Sequence, residues 1–429
     1  MTLTIHKKNF IKDGKPFFYL ADTCWSAFTN IPENDWHYYL QYRKRQGYNV
    51  LQINILPPQW DASGTDLNYV PYVLKEDGGY DFTKINDDYF QHAKRMCEIA
   101  KEYNFELALV ALWCNYVPKT WANNMLPLNT MPFDCVDRYI EKVDETFTQF
   151  NPIYIISGDT DLNEEITRNY YNKASDLLRE AAPQCIQTLH VRGRLMEIPE
   201  EMINRMDFYM FQSGHNAKTE NLCMTYRLPE YFVENYPGKP LINSEPCYEQ
   251  MGSSGRIYGR HHRFNIRRAA WQSLLSGACS GITYGAAGIY SWHIYGKNFG
   301  SAIGEGFDMP NPWQQAIHYP GGAWEYGGDI KHIFNEFQVT ELISKQKVLL
   351  NNTEEIRVAC TPDEKLMMIY LPENTTIKLN YHFSEDDECT IIDLNTLHRE
   401  CGRIYNHKDI CYLDMHVFEH DVLYIIRRK

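Results

Sequence analysis

The chain has 429 residues, with 42 Lys and Arg against 55 Asp and Glu, for a formal charge of −13. That length allows one large domain and a small one without covalent staples, and the acidic balance argues against nucleic acid or an anionic membrane surface as the main partner. Aromatic residues make up 14% of the chain, with 31 Tyr and 9 Trp, a stock suited to stacking on the flat apolar faces of sugar rings.

From the start, Phe17-Phe18-Tyr19-Leu20-Ala21 reads as a strand ending in Asp22-Thr23-Cys24-Trp25, followed by a helix over 32–47 opened by Pro32 and closed by Gly47. The β then α cycle repeats: strand 50–56 with helix 87–103, strand 107–113 with helix 135–150, strand 153–156 with helix 166–182. It continues more loosely through strand 185–189 ending at His190, strand 208–211 ending at Gln212-Ser213-Gly214-His215, and strand 241–243 ending at Glu245. Helix 263–276 and strand 281–284 close the series. Eight strands alternating with helices, and no Gly-rich phosphate fingerprint opening any helix, predict a (β/α)8 TIM barrel over 1–346 rather than a doubly wound sheet. From about residue 347 short alternating strands replace the helical period, at 356–360, 366–371, 376–379, 390–393 and 421–426. They predict a small C-terminal antiparallel β-sandwich over 347–429.

The long connections follow strands: 57–81, 114–133 and 291–328. They carry Trp60, Tyr69, Tyr72, Trp121, Trp292, Tyr295, Trp313, Tyr319 and Trp324, which either line an active face or pack against one another. Lys7, Lys8, Lys12, Asp13 and Lys15 interrupt the first residues, so no secretory apolar segment is visible, and no run approaches the roughly 20 apolar residues of a membrane helix. Twelve Cys without a Cys-x-x-Cys pair read as reduced, packed thiols, and the expected location is the cytoplasm.

Two apolar runs end in a carboxylate: Ile153-Tyr154-Ile155-Ile156-Ser157-Gly158-Asp159 and Pro240-Leu241-Ile242-Asn243-Ser244-Glu245. On strands four and seven of one barrel, the two acids would converge at the carboxyl-terminal mouth and face one glycosidic bond from two sides. Asp161 stands beside Asp159 and would raise the proton affinity of one of the two; alternatively Asp159 caps the following helix. Glu249 is the nearest rival of Glu245, with Glu305 and Glu325 behind it. Asp22, His190, Gln212 and His215 are polar strand tips placed to bind hydroxyls, and Trp25 and Trp292 would stack on a sugar. A metal-dependent hydrolase is the rival reading, with Asp159, His190 and His215 as ligands. Strand one, however, ends Asp22-Thr23-Cys24 instead of His-x-His, and His261-His262 lacks helical ligand spacing.

Pro16-Phe17-Phe18-Tyr19-Leu20-Ala21-Asp22-Thr23-Cys24-Trp25 and Gln46-Gly47-Tyr48-Asn49-Val50 resemble the opening of the apiosidase-like glycoside hydrolases, whose pattern is Gly-Asp-Thr-x-Trp and then Gly-Phe-Asn-Val. The resemblance continues through Ser157-Gly158-Asp159, His190, Gln212-Ser213-Gly214-His215 and Asn243-Ser244-Glu245-Pro246. It implies a TIM barrel of the retaining glycosidase clan with a collagen-binding-like C-terminal β domain, Asp159 as acid/base and Glu245 as nucleophile. It also implies plant pectic side chains bearing apiose as the substrate class. Ser157 replaces the usual first Gly, and Ile391-Ile392-Asp393-Leu394-Asn395 replaces a Trp-x-Asp-Pro segment in the small domain, so collagen binding is not expected. The expected function is hydrolysis of a short plant-derived oligosaccharide or glycoside by double displacement, with no cofactor and no metal. A barrel that binds carbohydrate without catalysis is the alternative. The oligomeric state has no signature in the sequence.

Overall fold

The computed structural model of the chain describes residues 3–254, 257–300, 309–384 and 386–429. Eight strands run parallel: β1 (Tyr19–Thr23), β2 (Val50–Asn54), β3 (Glu106–Trp113), β4 (Ile153–Gly158), β5 (Gln187–Thr188), β6 (Tyr209–Phe211), β7 (Leu241–Asn243) and β8 (Gly281–Tyr284). They pair in the order β5-β4-β3-β2-β1-β8-β7-β6. The remaining seam, between β5 and β6, is bridged by the Asp207 N–H on the Gln187 carbonyl oxygen at 2.9 Å and by the Thr188 hydroxyl on the Phe208 carbonyl oxygen at 2.9 Å. A barrel wound this way is covered on both faces, which is why every residue of β1 to β4 is buried and the strands read as mainly apolar runs, with polar residues such as Asp22, Gln52 and Asn54 buried among them.

The covering helices are α1 (Glu33–Arg45), α2 (Asp87–Glu102), α3 (Cys135–Phe147), α4 (Glu165–Ala181), α5 (Met224–Asn235) and α6 (Arg263–Leu275). In α3, Val136, Tyr139, Ile140, Val143 and Phe147 recur at the spacing of one helical face and are buried, together with Thr146. After β5 only the short Glu200–Ile203 helix follows, and after β8 a π-helical segment, Gly321–Ile330, runs into Lys331–Glu336. Before the barrel, Thr4–His6, Asn9–Lys12 and Lys15–Phe17 form a small antiparallel sheet.

The C-terminal region is antiparallel, as the sequence predicts. Six strands pair in the order Ile343–Ser344, Arg357–Cys360, Leu366–Leu371, Val422–Arg427, Glu388–Asp393 and Arg399–Cys401, and three more form a second sheet. The period-two pleat divides the work of the central strand. Leu366, Met368 and Tyr370 join the core of the barrel, whereas Met367, Ile369 and Leu371 join a separate core with Ile377, Leu379, Cys411 and Leu413 of the second sheet. Between barrel and sheet, Arg267 of α6 makes a buried ion pair with Asp421, its Nε 2.9 Å from each carboxylate oxygen.

Candidate active site

At the carboxyl-terminal ends of the strands lies a cavity of about 390 Å³ lined by Asp159 and Glu245 together. Glu245 follows β7 after Asn243-Ser244 and is 7% exposed. His190 Nε2 lies 2.9 Å from its Oε2, and His215 Nε2 lies 2.8 Å from its Oε1. The Tyr248 backbone N–H donates to His215 Nδ1 at 3.3 Å, so a neutral His215 carries its proton on Nε2 and gives it to Glu245. His190 is fixed from behind by Ser244, whose Oγ is 2.8 Å from Nδ1 and 3.1 Å from the Phe211 carbonyl oxygen. Burial favours the neutral acid at Glu245, but hydrogen bonds and charge from the two histidines outweigh it and hold the carboxyl below the usual carboxylate range.

Asp159 follows Gly158 at the end of β4 in a left-handed backbone conformation (φ 47°), half-buried. The cap of α4 is Glu164, so Asp159 is not its N-cap. Burial first, then the negative charges of Glu245 and Asp61, push the Asp159 carboxyl well above its ordinary value, against the pull of Arg192 and Arg194. Asp161 also reaches the cavity, and its Oδ1 accepts the Trp121 backbone N–H at 3.1 Å while the Trp121 indole N–H donates to the Asp159 carbonyl oxygen at 2.6 Å. The two aspartates therefore share the seating of one aromatic wall.

That wall is built from several loops. Trp60 lies between Trp113 (ring centroids 5.8 Å apart) and Trp121 (5.0 Å), and Trp25 lies 5.2 Å from Trp113. Gly158 is required here, because a Cβ on it would come within 2.0 Å of the Trp113 ring. Gly285, after β8, makes the same room for the ring of Tyr248, which accepts the Trp25 indole N–H at 3.2 Å.

Of the predicted hydroxyl-binding and stacking residues, Trp25, Gln212 and His215 line the cavity. Gln212 has a buried Oε1 with no hydrogen-bond partner among the described residues. His190 lies behind Glu245, fully buried, and reaches the cavity only through it. Asp22 and Trp292 are elsewhere, which corrects the expectation for both. β1 runs on to Thr23, so Asp22 lies inside the strand and not at its exit. Its carboxylate meets Arg43 Nε at 2.5 Å and the Tyr39 hydroxyl at 2.7 Å, two residues one helical turn apart on α1. Trp292 is fully buried and stacked on Trp313 with centroids 4.4 Å apart. Among the other loop aromatics, Trp60 and Trp121 line the cavity, Tyr69 stacks on His92, and Tyr295 and Trp324 are exposed.

The rival carboxylates are committed elsewhere. Glu249 accepts from the Tyr284 hydroxyl at 2.6 Å and the Gly321 N–H at 3.0 Å, and Glu325 pairs with Arg267 at 2.7 Å. Glu305 lies outside the described residues. The two histidines of the metal reading both turn Nε2 to Glu245, and among the described residues no group of three or more His, Cys, Asp or Glu is placed to hold a metal ion. His262 caps α6 together with Asn265, and His261 Nε2 donates to the His215 carbonyl oxygen at 2.8 Å.

The family model for the apiosidase-like catalytic domain matches residues 6–341. The chain belongs to the apiosidase-like family. It is a glycoside hydrolase, and its substrate is a carbohydrate. Among solved structures the apiosidase-like chain is similar to a family 5 glycoside hydrolase from Bacteroides vulgatus, with a TM-score of 0.80 and 20% identity over 100% of this chain and 94% of the other. Another glycoside hydrolase gives 0.78 and 20%, covering 100% and 96%. At such identity the likeness speaks for the fold: a barrel with appended β structure. No protein of curated function matches the apiosidase-like chain in sequence.

Sequence reasoning missed Asp61, Arg192, Arg194, Tyr248 and Tyr290, all of which line the cavity. A signal existed for the arginines, since Arg192-Gly193-Arg194 follows the His190 strand tip directly. For Asp61 the only signal was its place beside Trp60 in an aromatic loop.

Proposed function

We propose that this glycosidase works by double displacement, with Glu245 as nucleophile and Asp159 as acid/base. The observation that carries the reading is the opposite setting of two carboxyls in one cavity: Glu245 is held ionised by His190 and His215, while Asp159 is pushed toward its protonated form. Glu245 attacks the anomeric carbon as Asp159 gives its proton to the leaving oxygen; Asp159 then takes a proton from water, whose oxygen displaces Glu245 and releases the sugar. Trp25 offers a stacking face, and Gln212 offers an acceptor to a hydroxyl.

The substrate we infer is a short plant-derived oligosaccharide or glycoside, apiose-bearing ones first, attacked from an end. A cavity of about 390 Å³ suits one or two sugar units. All twelve cysteines are unpaired, which supports a reducing compartment such as the cytoplasm. No helix among the described residues is long and apolar enough to cross a membrane.

A panel of aryl glycosides including apiosides and arabinofuranosides identifies the sugar. On the one that is cleaved, Glu245→Gln lowers kcat by about a thousandfold or more and leaves sugar binding measurable. The first product seen by NMR keeps the anomeric configuration of the substrate. Inversion, or an active Glu245→Gln, overturns the mechanism; tight sugar binding with no turnover of any glycoside overturns the enzyme reading.

A further inference from the structure

Gly214 lines two cavities: that of the active site, and a second of about 110 Å³ enclosed by the segments after β6 and β7 and by α6. Their chemistry is opposite. Asp61, Asp159, Asp161 and Glu245 all line the first, whereas no Asp or Glu among the described residues lines the second. Arg268 of α6 lines it instead, with its side chain only 17% exposed and its guanidinium 5.5 Å from the centre of the Phe264 ring. The carboxylate paired with Arg268, Glu355, lies at 3.9 Å, beyond hydrogen-bond distance, so a guanidinium with five N–H donors is mostly withdrawn from water with those donors unspent. Two more donors line the same space. The Asn265 Oδ1 accepts the His262 backbone N–H at 2.8 Å, which leaves its amide NH2 over, and the Ser213 hydroxyl accepts from Asn243 Nδ2 at 2.9 Å, which leaves its own proton over. One acceptor faces them. Burial pushes the His261 imidazole down to about 4 and keeps it neutral; its Nε2 donates to the His215 carbonyl oxygen at 2.8 Å, and Nδ1 therefore carries a lone pair. Donors around a cation, with one acceptor, suit a small oxyanion that brings a proton of its own, as hydrogen phosphate does. A water takes up roughly 30 Å³ of liquid, so the space is that of a small ion and not of a sugar.

We propose that this second cavity binds a small oxyanion of the phosphate class, and that its occupation braces the Ser213-Gly214-His215 segment against Glu245. The segment is common to both sites. Its Gly214 N–H donates to the Glu245 carbonyl oxygen at 3.1 Å, and the His215 carbonyl oxygen accepts from the Ser254 N–H at 3.0 Å as well as from His261. An anion held by Arg268, Asn265 and Ser213 fixes the backbone from which His215 reaches the Glu245 carboxylate at 2.8 Å. The bracing rests on Glu245 being the nucleophile; the binding does not.

Isothermal titration of inorganic phosphate into the full chain, with chloride keeping the ionic strength constant, should show one saturable site. Arg268→Met, which keeps an apolar stem against Phe264, should weaken it by about tenfold or more, the loss of a hydrogen bond between charged groups. Asn221→Asp, at a half-buried position on the cavity wall, sets a carboxylate in the space without changing its shape and should abolish binding. Circular dichroism checks that both remain folded. Arg192→Met is the control for capture by the active-site cavity and should leave the titration as it is. No saturable binding in the wild type, or binding lost in Arg192→Met and kept in Arg268→Met and Asn221→Asp, overturns the site. The titration needs no turnover, so it stands even where an active Glu245→Gln removes the nucleophile reading. Phosphate should also raise kcat/KM on the cleaved aryl glycoside by about fivefold in the wild type and not in Asn221→Asp. An unchanged or lowered kcat/KM with phosphate bound, or the same rise in Asn221→Asp, overturns the bracing.

Discussion

His215 gives its Nε2 proton to Glu245 at 2.8 Å because its other nitrogen already accepts the Tyr248 backbone N–H. The imidazole is thereby held as a donor to the carboxylate without needing a positive charge. His190 Nε2 faces the other oxygen of Glu245, with its Nδ1 against the Ser244 hydroxyl, which itself donates to the Phe211 carbonyl oxygen. A buried carboxylate held through both oxygens remains ionised and aimed, which is the state a nucleophile requires.

His215→Ala and His190→Ala should each reduce kcat/KM by about ten- to a hundredfold, the loss of a hydrogen bond to a charged group. Their signature is the acid limb. Burial raises the proton affinity of Glu245, and the histidines bring it below the ordinary range, so removing one lets it rise and moves the acid limb to higher pH. The variants are hence most impaired at low pH. A pH profile that merely scales down, with its acid limb in place, would show that the histidines do not set the charge of Glu245.

Asp22 is the residue whose assignment changes most. Its carboxylate and Arg43 are both fully buried, and Asp22→Ala leaves the guanidinium unpaired in the core. The expected cost is about 3–5 kcal/mol of stability, read by chemical denaturation, with KM unchanged in the protein that remains folded. A raised KM with full stability would return Asp22 to the substrate site.

How far the fold could be read from the sequence follows from burial. β1 to β4 are covered on both faces and appear as apolar runs, so strands and helices fall close to their predicted places. The strands at Arg399–Cys401 and Ile404–His407 are largely exposed and show no apolar alternation, and the N-terminal hairpins are cut up by turn residues such as Lys7 and Asp13. These were invisible for that reason. Within the site, Asp159 and Glu245 stand out as carboxylates closing apolar strands. Whether a strand ends before or after Asp22, and which tryptophan faces the cavity rather than another tryptophan, depends on tertiary packing. Asp61, Arg192 and Arg194 lie on loops, where composition says little about direction.

Glu249 offers a control for the choice of nucleophile. It lies four residues beyond Glu245 in sequence, yet its oxygens are satisfied by the Tyr284 hydroxyl and the Gly321 N–H, behind the cavity wall. Glu249→Gln should cost about 1–3 kcal/mol of stability and leave kcat/KM nearly unchanged. A collapse of activity comparable to that of Glu245→Gln, in a protein still folded by circular dichroism, would move the nucleophile to Glu249.

The join between barrel and C-terminal sheet should carry its own pH dependence. Arg267 lies between Asp421 and Glu325, with the Tyr370 hydroxyl donating to Asp421 at 2.9 Å. Asp329 beside them is pushed to about 7 by burial and by the charge of Glu325. An acid raised on folding binds a proton that the unfolded chain has released. The stability this corner contributes therefore falls as pH rises from about 4 toward about 7. Arg267→Met removes the cation that offsets these carboxyls, leaving them to meet the low dielectric alone, and should cost about 3–5 kcal/mol near neutrality. At acid pH the carboxyls can take up protons, so the penalty should shrink. Urea denaturation at pH 5 and pH 8 measures the difference; equal losses at both values would mean that protonation in this cluster does not govern the docking of the sheet on α6.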